Sequence, residues 1–300
     1  MATDTMLPAG PALDTPAERP PGAGSGGRSR RLGKHALLIV LGLAMLYPLL
    51  WMVSSSFKPT ETIFRDPSIW PRQVDFDNYT EGWTALAHPF HFYLWNSAVV
   101  AFFSVVGNLL SCSLAAYAFA RLRFRGRAIF FAMMLSTLML PIHVLIVPRY
   151  VLFSELGWIN TTLPLIVPKF FATDAFFIFL MVQFIRGLPR ELDEAARMDG
   201  CGHFRIYWRI VMPLSLPALA TSALFTFIWT WNDFFSQLIF LTDPNTYTAP
   251  VALNSFLDGQ GESAWGQLFA MSVVALAPIF GFFLAGQRYL TQGIATTGLK

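Results

Sequence analysis

Two small groups of residues in this 300-residue sequence place polar chemistry in apolar surroundings. Lys169 and Asp174 stand five positions apart inside one apolar stretch, and Asn232 and Asp233 follow Trp229 and Trp231 near the end of another. Ionisable side chains at membrane depth are costly and usually face a cavity or a partner. Lys169 and Asp174 therefore read as groups lining a polar pathway or as a structural ion pair. Lys169 can alternatively reach the bilayer surface along its aliphatic stem. Aromatic faces combined with amide and carboxylate groups suit a polyhydroxy ligand, so Trp231, Asn232 and Asp233 are candidate substrate contacts. An interfacial tryptophan belt explains the same cluster. Asn108, Ser111 and His143, also within apolar stretches, suit interhelical hydrogen bonds. No nucleophile and base recur at a catalytic spacing, so no catalytic residue is assigned. Cys112 and Cys201 form no CxxC pair, and no His-rich cluster accompanies them, so neither a metal nor a bound cofactor is expected.

The elements that must position these groups are membrane spans. Charged residues make up 13% of the chain and the mean hydropathy is +0.49, against about 25% charged in soluble domains. Apolar residues gather in six blocks, at about 36–53, 94–120, 128–147, 163–185, 214–241 and 266–287. Each approaches or exceeds the ~20 residues that cross a ~30 Å hydrocarbon core. Pro141, Pro164, Pro168 and Pro278 lie inside or at the ends of these blocks, where neighbouring helices can satisfy the freed carbonyls. Ahead of them, residues 1–34 read as a disordered tail, because five Pro and five Gly within the first 27 positions leave little to bury. The first block is longer than a signal-peptide core and is read as a retained span. Residues 292–300 read as a short C-terminal tail, leaving 35–291 as the membrane domain.

Lys and Arg set the orientation. With the N-terminus inside, sixteen of 21 lie on the cytoplasmic side: five in the tail, four in 121–127, five in 186–209 and two near the C-terminus. Only Lys58, Arg65, Arg72 and Arg149 fall outside, so both termini are expected in the cytoplasm.

The loop 186–213, RGLPRELDEAARMDGCGHFRIYWRIVMP, has its own design. Pro189 and the acids Glu191, Asp193 and Glu194 suit a helix start. Leu192, Ala195, Ala196 and Met198 give that helix one apolar side, and Gly200 ends it. Phe204, Tyr207, Trp208 and Val211 then recur at i, i+3, i+4 and i+7, the stripe of a second amphipathic helix. Arg205 and Arg209 lie opposite. Two interfacial helices resting on lipid fit this pattern, and so does a docking element for a cytosolic partner, since the small Ala195-Ala196 pair allows close approach.

Glu194-Ala195-Ala196, three residues, Gly200, nine residues, Ile210, one residue and Met212-Pro213 together resemble the EAA loop of ABC-importer permeases, EAA-x3-G-x9-I-x-L-P. Met212 in place of leucine is the one departure, a near-isosteric change. YPLLWMVSSSFKP at 47–59, NSAVVAF at 96–102, LAAYAFARLRFRG at 114–126 and WTWNDFF at 229–235 are similar to the carbohydrate-uptake, maltose-permease-like branch. The resemblance implies an all-α membrane protein, the six-span helical bundle of a type I ABC importer permease. It implies that Glu194, Ala195, Ala196, Gly200, Ile210 and Pro213 couple the spans to an ATPase, with Phe204 and Trp208 packing the loop. The implied partners are a second homologous permease, two copies of a cytosolic ATPase that hold the ATP and Mg2+, an extracytoplasmic solute-binding protein, a carbohydrate and membrane lipid. Nucleic acid is not among them.

Two other functions draw on some of the same residues. A secondary transporter calls for buried ionisable groups and often an internal repeat; Lys169 and Asp174 are the candidates, and no repeat of halves is visible. An intramembrane hydrolase has His143 and Asp174 to draw on, without a paired nucleophile. Neither accounts for the loop. The C-terminal GIATTGLK is not a phosphate-binding loop, because Leu299 separates Gly298 from Lys300 and the required strand and helix are missing from the pattern.

Overall fold

The computed structural model of the protein describes residues 26–257 and 264–297, and among these every regular element is helical. Two units divide the chain, the first ending at Leu50 and the second running from Trp51. Helix α1, Gly26–Ser55, carries the first span as a 30-residue element. It starts well before the expected boundary at residue 35. The basic run from Arg28 to Lys34 is thus helical, and only residues 1–25 of the expected tail lie outside the described residues. No Pro interrupts positions 22–47, and Arg, Lys and Leu are good helix formers.

In the second unit, α2 (Asp77–Thr84) precedes the long α3 (Phe90–Arg121). α4 (Arg127–Thr137) and α5 (Ile142–Glu155) follow. α6 (Leu163–Ile166) continues into a 3-10 segment, Val167–Phe171, and then α7 (Ala175–Gly187). The short α8 (Glu191–Met198), α9 (His203–Ile206), a π turn at Tyr207–Val211 and α10 (Met212–Leu214) lead into α11 (Leu216–Trp231). α12 (Phe235–Phe240), α13 (Ala249–Asn254) and α14 (Trp265–Thr297) complete the chain. α14 therefore extends through most of the stretch expected as a C-terminal tail; residues 298–300 lie outside the described residues.

Among the described residues, four segments are long and apolar enough to cross a bilayer: Gly33–Ser55, Phe90–Arg121, Leu163–Gly187 and Trp265–Arg288. Three of the six expected spans are interrupted, and that at 163–185 keeps its crossing length across the non-helical residues 172–174. The block at 128–147 becomes α4 and α5, of 11 and 14 residues, each short of a crossing. Pro141 supplies no N–H and pushes Leu140 out of helical geometry, which ends the first piece. The block at 214–241 becomes α11 and α12, interrupted at 232–234. Before α11, Ser215 marks a bend of 77° between the stretches His203–Leu214 and Leu216–Trp231. Pro213 and Pro217 flank it and withhold the amides that would carry a helix through.

α3 is the central post. It packs against α7, α11 and the 3-10 segment, and the lower core joins its Cys112, Ala116 and Tyr117 to Phe177, Met181 and Ile185 of α7 and to Ile206, Tyr207 and Val211. At the opposite end, Phe90 and Tyr93 pack with Ala252, Ala270 and Met271. The segment between α1 and α2 is tied down by polar side chains. Buried Lys58 donates from Nζ to the carbonyls of Asp66 (2.7 Å) and Ser68 (2.6 Å). Asn78 donates to the carbonyls of Ser56 (3.1 Å) and Lys58 (2.8 Å). Hydrogen bonds from Ser68 also hold the Asp66 carboxyl below the ordinary carboxylate range.

Candidate functional site

The first site grows from the break between the 3-10 segment and α7. Ala172 adopts a left-handed conformation, φ 54°, so the chain turns and brings Lys169 back toward Asp174, whose carboxylate it meets at 2.8 Å. Both are part-exposed, and both line a cavity of about 520 Å³ with His143, Thr226, Asn232 and Asp233. Four of the five expected pathway residues are thus gathered from two separate breaks, one before α7 and one after α11. Unwound backbone at such breaks is stable where it lines a cavity or is met by a neighbour. Here α3 meets it: Ser111 donates to the Lys169 carbonyl at 2.6 Å, and the Cys112 thiol lies 3.8 Å from that of Asp174. Asn108 donates to Thr226 at 2.6 Å, so Asn108 and Ser111 make the interhelical bonds expected of them. His143 faces the cavity, its ring 5.0 Å from Phe235.

Trp231 is the exception. It is 3% exposed and donates from its indole nitrogen to the Ala275 carbonyl at 3.1 Å, which locks α11 to α14. Trp229, two positions earlier, presents a half-exposed indole to the cavity, braced by Phe176 and Phe177 at 5.3 and 5.1 Å. Residues two positions apart on a helix differ by some 200° in direction, so one of the pair had to face away. Asp233 also accepts from the Ser236 amide at 3.1 Å, opening α12, and Asn232 donates to the Ile228 carbonyl at 2.9 Å. The cavity thus offers one cation, two carboxylates, an amide and an indole face.

The second site is the helix pair α8–α9. Gly200 turns between them at φ 77°, with open space where a side chain would stand, which is the left-handed position that glycine accepts without cost. Glu194 and Ala195 are exposed and Ala196 is buried. Of the expected apolar side of α8, Ala196 packs into the core and the rest does not. Leu192 and Met198 are exposed, while Asp193 is buried, 3.3 Å from Arg121 Nε at the foot of α3. Phe204 (70% exposed) and Trp208 (43%) touch the Tyr207 ring at 6.5 and 5.2 Å but stay largely exposed, whereas Ile206, Tyr207 and Val211 are buried. The π turn at Tyr207–Val211 widens the repeat there and rotates the stripe away from its α-helical phase. Ile210 is part-buried and Pro213 exposed. Asp193 was legible only as a favourable first-turn acid, and its partner lies 72 positions away, so spacing gave no signal.

Residues 107–296 match the model for the binding-protein-dependent transport system inner membrane component family. The chain is 36% identical to the probable ABC transporter permease protein YurM of Bacillus subtilis, over 86% of this chain and 85% of that one. It is 32% identical to the trehalose/maltose transport system permease protein MalG of Thermococcus litoralis, over 89% and 97%. Its fold is similar to a chain in the crystal structure of a bacterial ABC transporter that imports the acidic polysaccharide alginate, with a TM-score of 0.77 at 24% identity, covering 90% of this chain and all of that one. The matched region takes in α7–α11 whole and the C-terminal part of α3 from Gly107, which carries the residues that meet both the cavity and the exposed helix pair. By family model, relatives and fold together, the chain belongs to the inner membrane components of binding-protein-dependent transport systems, the ABC-importer permeases.

Proposed function

We propose that this chain is the permease subunit of an ATP-driven importer of a carbohydrate or related polyol, forming half of the translocation pathway. The observation that carries the reading is the exposed pair α8–α9, with Glu194, Ala195 and Phe204 on its free face, projecting from a bundle that belongs to a transport family. Relatives named for maltose or trehalose and for arabinooligosaccharides support a carbohydrate cargo. A cytosolic ATPase, present in two copies and holding the ATP and Mg2+, receives the pair in a cleft. A second homologous permease completes the pathway, and an extracytoplasmic binding protein delivers the substrate. Both termini lie in the cytoplasm, as the Lys and Arg distribution asks.

ATP binding draws the helix pairs of the two permeases together and opens the cavity outward. Lys169, Asp174, Asn232 and Asp233 then offer hydrogen bonds to sugar hydroxyls, and Trp229 offers its face. The test is co-expression with the neighbouring genes and purification in nanodiscs. A complex with a second permease and two ATPase subunits supports the proposal. A chain that purifies without an ATPase and transports on an ion gradient alone refutes it. Within the complex, Trp229→Ala is expected to lower transport about tenfold, the loss of roughly 1.4 kcal/mol of stacking. Trp231→Phe keeps the packing, and sugar uptake by vesicles should separate the two.

A further inference from the structure

The helix pair is joined by covalent connections to α7 and α11, yet its buried contacts run to a third element. Ser113, Tyr117 and Arg121 recur every four residues on one face of α3, and a different part of the stretch 188–207 that holds the pair meets each. Ser113 Oγ and the Tyr207 hydroxyl lie 2.7 Å apart. The Tyr117 hydroxyl donates to the His203 carbonyl at 3.2 Å, and its ring lies 5.4 Å from that of Tyr207. Arg121 donates to the Leu188 carbonyl at 2.8 Å and pairs with Asp193 at 3.3 Å, the two side chains only 3% and 8% exposed. One turn above this ladder, the same helix holds the cavity wall through Asn108 and Ser111. The covalent route into α11 is interrupted, by the π turn and by the 77° bend at Ser215, whose hydroxyl is buried without a hydrogen-bond partner among the described residues. A bend between two prolines absorbs displacement, whereas interlocked buried side chains transmit it.

We infer that α3 is the lever between the ATPase-docking helix pair and the substrate cavity, with Arg121 and Asp193 as the positioning residues that fasten it. The inference rests on the importer reading and adds the load path. When the pair moves, Arg121 and the two tyrosines carry α3 with it, and α3 carries the Lys169–Asp174 turn. α11 follows through Thr226 rather than through its own N-terminus.

The test uses the complete complex in nanodiscs, with Cys201→Ser and the cavity reporter Ser236→Cys, labelled by a water-soluble maleimide with and without ATP and vanadate. Trapping is expected to raise the labelling rate several-fold in the otherwise native chain. In Arg121→Met/Asp193→Leu, which exchanges a buried ion pair for apolar packing and so preserves the fold, nucleotide trapping should persist while the rise in labelling disappears. A native-sized rise in that variant overturns the lever. If the double variant fails to assemble, Tyr117→Phe/Tyr207→Phe, which deletes only hydroxyls, decides: a reduced rise at unchanged trapping supports the lever, and an unchanged rise overturns it. Failure of the native complex to trap nucleotide at all overturns the importer reading and the lever with it.

Discussion

Glu194→Lys is expected to abolish ATP-driven uptake while leaving the chain folded and inserted. Glu194 is exposed in the first half of α8, so the replacement removes no core contact, and exposed changes usually stay within about 0.5 kcal/mol. The added cost of a cation near a helix N-terminus is a few tenths of a kcal/mol. At a docking face, however, reversing a charge that meets an arginine of the partner costs about 2–5 kcal/mol, roughly 30-fold or more in affinity. Co-purification of the ATPase and the ratio of sugar moved to ATP hydrolysed check this. The variant should run on size exclusion like the parent and retain its melting temperature in detergent. Loss of ATPase binding together with an unchanged melting temperature is the expected pair of results. A lowered melting temperature with ATPase binding intact would place Glu194 in the fold rather than at the docking face.

The second large effect is on stability. A Cβ on Gly266 would lie 2.1 Å from the Asn78 side-chain oxygen, far inside contact distance. Asn78 is buried and bonds the Ser56 and Lys58 carbonyls, so it has no free rotamer to retreat to. Gly266→Ala should therefore break both bonds and leave two carbonyls unpaired, at about 2–4 kcal/mol. Asn78→Ala alone loses the same bonds. The double variant Asn78→Ala/Gly266→Ala should be hardly less stable than Asn78→Ala, because the clash has gone, and a thermal-melt cycle measures that non-additivity. Additive losses would show that Gly266 acts independently of Asn78.

The amino-acid pattern alone was sufficient for the membrane class, the helix-pair loop and the family. Each of these depends on properties local in sequence: runs of apolar residues, clusters of Lys and Arg, and the fixed gaps from Glu194 through Gly200 to Pro213. The places of the apolar stretches in the chain were legible for the same reason. Their continuity was not. Hydropathy integrates over some 20 residues and is blind to a single Pro141, or to the left-handed Ala172 that folds Lys169 onto Asp174.

What only the tertiary structure decided is which side of each element faces what. Trp229 and Trp231 are equivalent as a motif, but one lines the cavity and the other bonds α14. Phe204 and Tyr207 shared one expected stripe, yet Phe204 stays exposed and Tyr207 is buried, because the π turn shifts the helical phase and such a shift leaves no mark in a residue pattern. Arg121 counted in the sequence as one of four loop cations and Asp193 as one of three first-turn acids. Their burial as a pair depends on α3 ending where α8 begins, a meeting of residues 72 positions apart. Local propensities determine elements and signatures over a few turns. Contacts between distant segments arise only once the helices have packed, and here those contacts join the two candidate sites.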